Sequence, residues 1–490
     1  MYRHLLRFSI FFISFVLTAQ QGVPFNSNKQ VYLKGNSALI GNNIVSKHAT
    51  KPYNENAFND VLKLKYIDID DNENTFSSSQ ASLHIQKKNL KIKYATLYWS
   101  AIYKYDEGFT KTIDIKNKKF RKIVYQGNNT RSNNVNTILL KTPNSEYKTI
   151  QGQTIYDSFT NEDAFEDIKP YVCYADVTSI LQNSEQINGA YTVANIRATQ
   201  GLISGGSAGG WLLYVIYEDD EATPKYFTTY NGFQDVFKDP IDIVFKNFKS
   251  PEVGEIKTSF IIGALEGDQK LKTDHCAFFN EANQTYIPLY NRFRPKLNFF
   301  NSTITINDSL FKNRLPNSKN TLGFDLLKIK IPNKNNSIIS NNSNYAKVRF
   351  KTKADRFYLF FVAFETEINP IFLEAKENKT SILVVNQDTS LNDADLAKIK
   401  ALKSISIPSV EKGYYLVTNV FSVEDNANKW MVFLKKNGHV PLSYVNPKNG
   451  WTYIYLKSDL DPSIVSQTRD DLLKLDYFKD IWILKINFPN

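Results

Sequence analysis

Residues Trp211 to Tyr217 constrain this chain more than any other stretch. In an extended conformation Trp211, Leu213, Val215 and Tyr217 fall on one face and Leu212, Tyr214 and Ile216 on the other. A strand apolar on both faces must be covered on both, so it belongs in the middle of a layered β structure. Tyr191 to Ala198 reads as a second strand, and the GGSAGG run between the two suits a long hairpin loop. This centre reads as scaffold, with no catalytic constellation around it.

Residues 1–19 pair a basic start at Arg3 and Arg7 with an apolar run from Phe8 to Leu17 and the small Ala19, the pattern of a secretory signal. The apolar run is too short to span a bilayer as a helix, and no later segment is long enough, so no transmembrane segment is expected. Without the two signal arginines the formal charge of +11 falls to +9. Spread over so long a chain as lysines among apolar residues, this is a solvated surface and excludes a nucleic-acid footprint. Two cysteines in an exported chain are expected to pair, Cys173 with Cys276. His275 beside Cys276 makes a poor catalytic couple, because adjacent strand residues point to opposite sides.

From Gly22 to about Phe372 the periodicity is that of strands: Val61 to Ile69, the aromatic run Ile92 to Tyr105, Phe260 to Leu265, Phe324 to Ile331, Lys347 to Thr352 and Phe357 to Phe364. Polar turns such as PNSKN and NKNNSIISNNSN separate them, and no fixed-period repeat is present. The expected fold is mainly β, with a β-sandwich body over 20–372 built as one or two packed lobes. The motifs YIDIDDNENTFSSS, ATLYWSAIY, YVCYADVTS, GAYTVANI, GGWLLYVIYED, NGF and ALEGD, taken in order, resemble the N-terminal β domain of surface proteins from gliding, type IX-secreting bacteria. The resemblance covers roughly residues 30–370. It implies a cell-envelope role in motility or secretion and no enzymatic activity.

Residues 373–410 read as a linker with one short helix from Asn392 to Leu402. The last eighty residues, 411–490, alternate strand and helix in the order βαββαβ, a four-stranded sheet with both helices on one face. GYYLVTNVFS, NANKWMVFLKKNG and the closing WILKI are similar to SPOR domains. That implies binding of peptidoglycan glycan strands, with outer-membrane motility or secretion proteins as the alternative partner. If Ile454, Leu456, Leu416 and Val420 face the helices, then Tyr415, Val417, Asn419, Phe421, Trp451, Tyr453 and Tyr455 line an open face. Of these, Tyr415, Asn419, Phe421, Trp451, Tyr453 and Tyr455 are the candidate ligand-binding residues, aromatic rings and polar groups that suit sugars; the alternative is that a loop or the preceding domain covers this face and makes the aromatics ordinary core. The SPOR pattern carries glutamine where Val417 stands and glycine where Asn419 stands.

Asp68, Asp70 and Asn72 place oxygens at alternate positions, a spacing compatible with a Ca²⁺ site, although a solvated acidic turn accounts for the same residues. No other cofactor is implied. Asp219, Asp220, Glu266 and Asp268 form similar acidic turns. Gly205 to Gly209 matches G-x-S-x-G by letter, but a strand follows where a nucleophile elbow needs a helix. The expectation is therefore an exported, non-enzymatic envelope protein of the periplasm or outer membrane. The alternative is a cell-surface adhesin whose sandwich binds glycans or other polymers with Ca²⁺ assistance.

Overall fold

A computed structural model describes residues 22–87, 89–114, 121–132, 134–160, 165–280, 283–354, 356–370, 372–373, 393–473, 475–478 and 481–489. The expected signal, 1–19, lies outside them. The strands that organise the body are β1 (Gly22–Asn43), β2 (Ile92–Ile102), β3 (Tyr105–Asp114), β4 (Arg121–Thr130), β5 (Pro170–Asp176), β6 (Gly209–Glu218), β7 (Pro224–Val236), β8 (Thr258–Gly267), β9 (Gly323–Lys330) and β10 (Phe357–Glu367). An eleven-stranded sheet runs in the order Gln153–Asp157, β5, β2, β6, β1, β7, β10, β8, β9, Ile304–Ile306, Ser309–Leu310. Its seam is β1. Residues Gly35 to Asn43 pair with β6, and Gly22 to Lys34 pair with β7.

The alternation along β6 explains the layering. Trp211, Leu213 and Val215 enter one core with Leu97 and Trp99 of β2 and with Leu83, Leu140 and Tyr191 of a separate five-stranded sheet. Leu212, Tyr214 and Ile216 enter a second core with Phe227, Ile261, Leu326 and Phe361 from the other half of the large sheet. The two halves of one sheet thus pack on each other through β6, and every side chain from Trp211 to Ile216 is buried. A four-stranded sheet covers the far face of β8 and β10. There Phe245 stacks on Phe364 at 4.4 Å and Phe278 meets Phe260 edge-on at 5.2 Å. The chain is mainly β, as expected.

The expected hairpin around GGSAGG does not form. Gly189–Ala194 pairs with Ser78–Leu83 and Thr137–Lys141, whereas β6 pairs with β2 and β1. Both strands are buried in their own sheets, so the glycine loop crosses between layers instead of closing a hairpin. The expected disulfide is also absent. Cys173 and Cys276 are both buried free thiols. Cys173 lies in β5 with its Sγ 3.6 Å from the Val135 carbonyl, and burial pushes its pKa up to about 12. Burial likewise raises Cys276 well above the ordinary thiol value.

Buried guanidinium groups organise the turn-rich segments. Arg294 is fully buried and donates to Asp325 and to the carbonyls of Phe299, Thr303 and Leu326. Asp325, on β9, also accepts from the backbone amides of Asn301, Ser302 and Thr303. Arg131 pairs with Asp157 under the rings of Tyr103 and Phe159.

The second unit comprises Ile368–Asn490. Of the expected linker, residues 374–392 lie outside the described residues. The rest is built into this unit: α1 (Asp393–Lys400) and the turn after it deliver Ile399 and Leu402 to its core. The order expected from periodicity follows: β11 (Gly413–Phe421), α2 (Glu424–Lys436), β12 (Leu442–Asn446), β13 (Trp451–Asp459), α3 (Pro462–Leu472) and β14 (Trp482–Ile486). The sheet runs β12-β13-β11-β14, all antiparallel. Asp461 caps α3 by accepting from the Ser463 amide at 2.9 Å, with Pro462 in the first turn. No described helix is long and apolar enough to cross a membrane.

Removing one partner of a buried ion pair strands the other charge in a dry site. Asp325→Ala is expected to cost about 3–5 kcal/mol. A lowered denaturant midpoint, followed by fluorescence of the buried body residues Trp99 and Trp211, would read this loss.

Candidate functional site: an acid-lined cleft in the β body

The cleft begins where β8 breaks its regular pairing. Between Leu265 and Gly267 the register against β9 slips, and Glu266 takes up a left-handed backbone with φ of 65°. Non-glycine residues in that region are held there by their surroundings. Here the hold is Asn59, whose Nδ2 donates to both carboxylate oxygens of the buried Glu266 at 3.0 and 2.9 Å and also reaches the Ser207 carbonyl at 3.3 Å. Asn59 is in turn fitted against Gly206. A Cβ at that glycine, with φ of 84°, would stand 2.4 Å from the Asn59 side chain.

These pieces, with the Phe165 to Ile168 turn and the start of β10, surround a recess of about 490 Å³. Its polar lining is Asn59, five carboxylates (Asp60, Glu166, Asp167, Glu266, Asp268), Ser204 and Arg356. Arg356 Nε lies 3.5 Å from Asp235. Glu166 and Asp167 stand exposed at the rim. One oxygen of Asp60 is buried with no hydrogen-bond partner among the described residues. Beneath the polar layer, Phe165 meets Tyr358 and Phe233 edge-on at 5.3 and 5.9 Å, and Tyr156 stacks on Phe233 at 4.8 Å. Such a recess offers acceptors to hydroxyl or ammonium groups and repels anions.

The sequence-derived candidates distribute unevenly around this site. Glu266 and Asp268 are in it. Asp219 is elsewhere, 2.6 Å from Lys87 and hydrogen-bonded to Asn36 at 2.9 Å. Ser207, of the G-x-S-x-G match, is buried and donates to the Thr199 carbonyl at 2.6 Å, which leaves it no role as a nucleophile. Asn59, Asp60, Arg356 and Tyr358 were not singled out. No spacing links them, because the Asn59–Val61 turn reaches β8 and the start of β10 only in the folded body.

In the acidic turn, Ser78 Oγ donates to Asp68 at 2.9 Å and to Asp70 at 3.0 Å, Thr75 Oγ1 donates to Asp70 at 3.0 Å, and Tyr147 OH donates to Asp70 as well. The Asn72 side-chain oxygen accepts from the Asn74 amide at 2.9 Å. These hydrogen bonds close the turn. Among the described residues, no three His, Cys, Asp or Glu side chains come together as a metal site. Burial raises the Asp68 pKa. Burial would raise Asp70 too, but hydrogen bonds from Tyr147, Ser78 and Thr75 outweigh it and hold its carboxyl below the usual range.

The aromatic face of the second unit departs from strict alternation and is covered. Pairing slips around Val417 to Asn419, so Thr418 has no cross-strand partner and the alternation flips after it. Asn419 then pairs with Ile454 and Phe421 packs in the helix-side core, so both leave the candidate face, while Val420 joins it. Tyr415, Trp451, Tyr453 and Tyr455 do share a face, together with Tyr444 and Trp482. That face is covered: Tyr415 and Tyr453 are only 5% and 3% exposed. Ile405, Ile407 and Val410 pack in the same cluster. Asn487 ties this strap down, its Nδ2 donating to the carbonyls of Ile407 and Val410 at 2.8 and 2.7 Å.

No family model matches the chain, and no curated protein matches it. Among solved structures it is similar to PNGase F, a glycosylasparaginase from Flavobacterium meningosepticum, with 12% identity over 68% of this chain and 96% of that one, at a TM-score of 0.17. That protein is an enzyme, and this finding corrects the expectation of a non-enzymatic chain. At that TM-score the likeness carries no reaction, substrate or residue role over to this sequence.

Two outcomes test this geometry. Gly206→Ala forces a left-handed alanine against Asn59 and is expected to destabilise the body by about 1–3 kcal/mol in equilibrium denaturation. Asp70, with its lowered pKa, contributes stability above the ordinary carboxylate range, lost as pH falls through its folded-state pKa. Tyr147→Phe should therefore move the Asp70 titration upward, as read by carboxyl NMR.

Proposed function

We propose that this chain is an exported cell-envelope protein that binds glycan in the acid-lined cleft of its β body. The observation that carries the reading is the convergence of Asn59 and five carboxylates over an aromatic floor in one recess. Carboxylates accept hydrogen bonds from adjacent sugar hydroxyls, and confined polar groups over apolar walls fix a ligand's orientation. The signal-like residues 1–19 and the resemblance of residues 30–370 to surface proteins of gliding, type IX-secreting bacteria support an envelope location. Binding of the full chain to an immobilised glycan panel is expected, and Asp60→Asn and Asp268→Asn should each weaken it about 10-fold. No retention on any glycan removes this reading.

A second reading concerns Ile368–Asn490, favoured by its βαββαβ order with the helices on one side of the sheet. In this reading the SPOR-like unit docks to peptidoglycan glycan strands, or to an outer-membrane motility or secretion protein, through the face that holds Tyr415, Trp451, Tyr453 and Tyr455. The Ile405 to Val410 strap then has to be displaced. Full-length Asn487→Ala, which loosens the strap, should be retained on purified sacculi more strongly than the native chain. Equal or absent retention of both removes the peptidoglycan version.

A further inference from the structure

The acid-lined recess does not end at its rim. Asp167 and Ser204 line it and also line a second recess of about 260 Å³, whose other walls are Lys104, Tyr105, Ile203 and Lys122 to Tyr125. That outer wall is the β3–β4 hairpin. The two strands pair from Tyr105 opposite Thr130 to Asp114 opposite Arg121. Among the described residues, only the base of the hairpin has a third strand, where Gln200 and Gly201 pair with Glu107 and Gly108. Beyond that base Ile113, Ile123 and Tyr125 are 42%, 62% and 39% exposed. Two-stranded ribbons are marginal in water, and apolar side chains along one mark a surface on which something else lies.

Ile123 and Tyr125 are two residues apart and therefore share a face of β4. The ribbon is continuous with the cleft through Lys104, whose Nζ lies 3.8 Å from Asp167. We infer that the cleft and the hairpin form one trough for a linear glycan chain, which enters the acid-lined recess and leaves along β4. This rests on the glycan reading of the cleft. The flat Tyr125 ring and Ile123 meet the apolar faces of successive sugars, while Lys104 donates to their oxygens at the junction. A ligand held by the recess alone is short, and a ligand held by the trough gains affinity with each unit laid on the ribbon.

Calorimetric titration of the full chain with chito- and cello-oligosaccharides, from dimer to hexamer, tests this. The hexamer is expected to bind about 10-fold more tightly than the dimer. Ile123→Thr combined with Tyr125→Thr, which keeps β-forming residues on an exposed strand, should erase that gain and leave dimer binding unchanged. Equal affinity across the series overturns the trough and leaves the cleft reading standing, as does a hexamer advantage that survives the double substitution. No binding by any oligomer overturns both.

Discussion

The Arg294–Asp325 pair, sealed from water deep in the body, is the interaction on which the cleft depends. Asp325 draws in the amides of Asn301, Ser302 and Thr303. Ser302 in turn donates through Oγ to the Gly267 carbonyl and accepts from the Gly323 amide at 2.8 Å. Those two glycines face each other across β8 and β9 and flank the bulge that sets Glu266 into the recess. Charges so fully dehydrated are tolerable only when every donor and acceptor is satisfied, and here the guanidinium finds both carboxylate and carbonyl acceptors. A site that offers polar groups to solvent is thus held by polar groups that never meet it.

Much of this fold was legible in the residues, because alternation reports which sides of a strand are covered. The two-faced apolarity of Trp211 to Tyr217 correctly puts β6 between two cores. Alternation is silent about which strand lies alongside, so Gly189–Ala194 and β6 looked like hairpin partners although they belong to different sheets. The Thr418 slip is equally silent. One unpaired residue costs little locally, yet it exchanges the faces of Asn419, Val420 and Phe421. The cleft was half legible: Glu266 and Asp268 announce a polar interruption in a strong strand, while Asn59 reaches them only through tertiary packing.

The second unit shows how a short segment changes the meaning of a surface. Tyr415, Tyr453 and their neighbours form an aromatic sheet face of the kind that stacks on sugars, but Ile405 to Val410 occupies it. The strap reads as a linker because its composition is mixed and its periodicity weak. What gives it structure is supplied about eighty residues away in sequence by Asn487, whose side-chain amide satisfies the Ile407 and Val410 carbonyls. The body's cleft has no such occupant among the described residues.

The two unpaired cysteines carry a broader consequence. Each thiol is packed inside a sheet layer and kept protonated by its apolar surroundings, so neither is available for exchange. The architecture is secured by interlocked layers and dry ion pairs, without covalent cross-links. Once folded, the chain is accordingly insensitive to thiol reductants, which find no bond between these cysteines to break and no exposed thiol to exchange with.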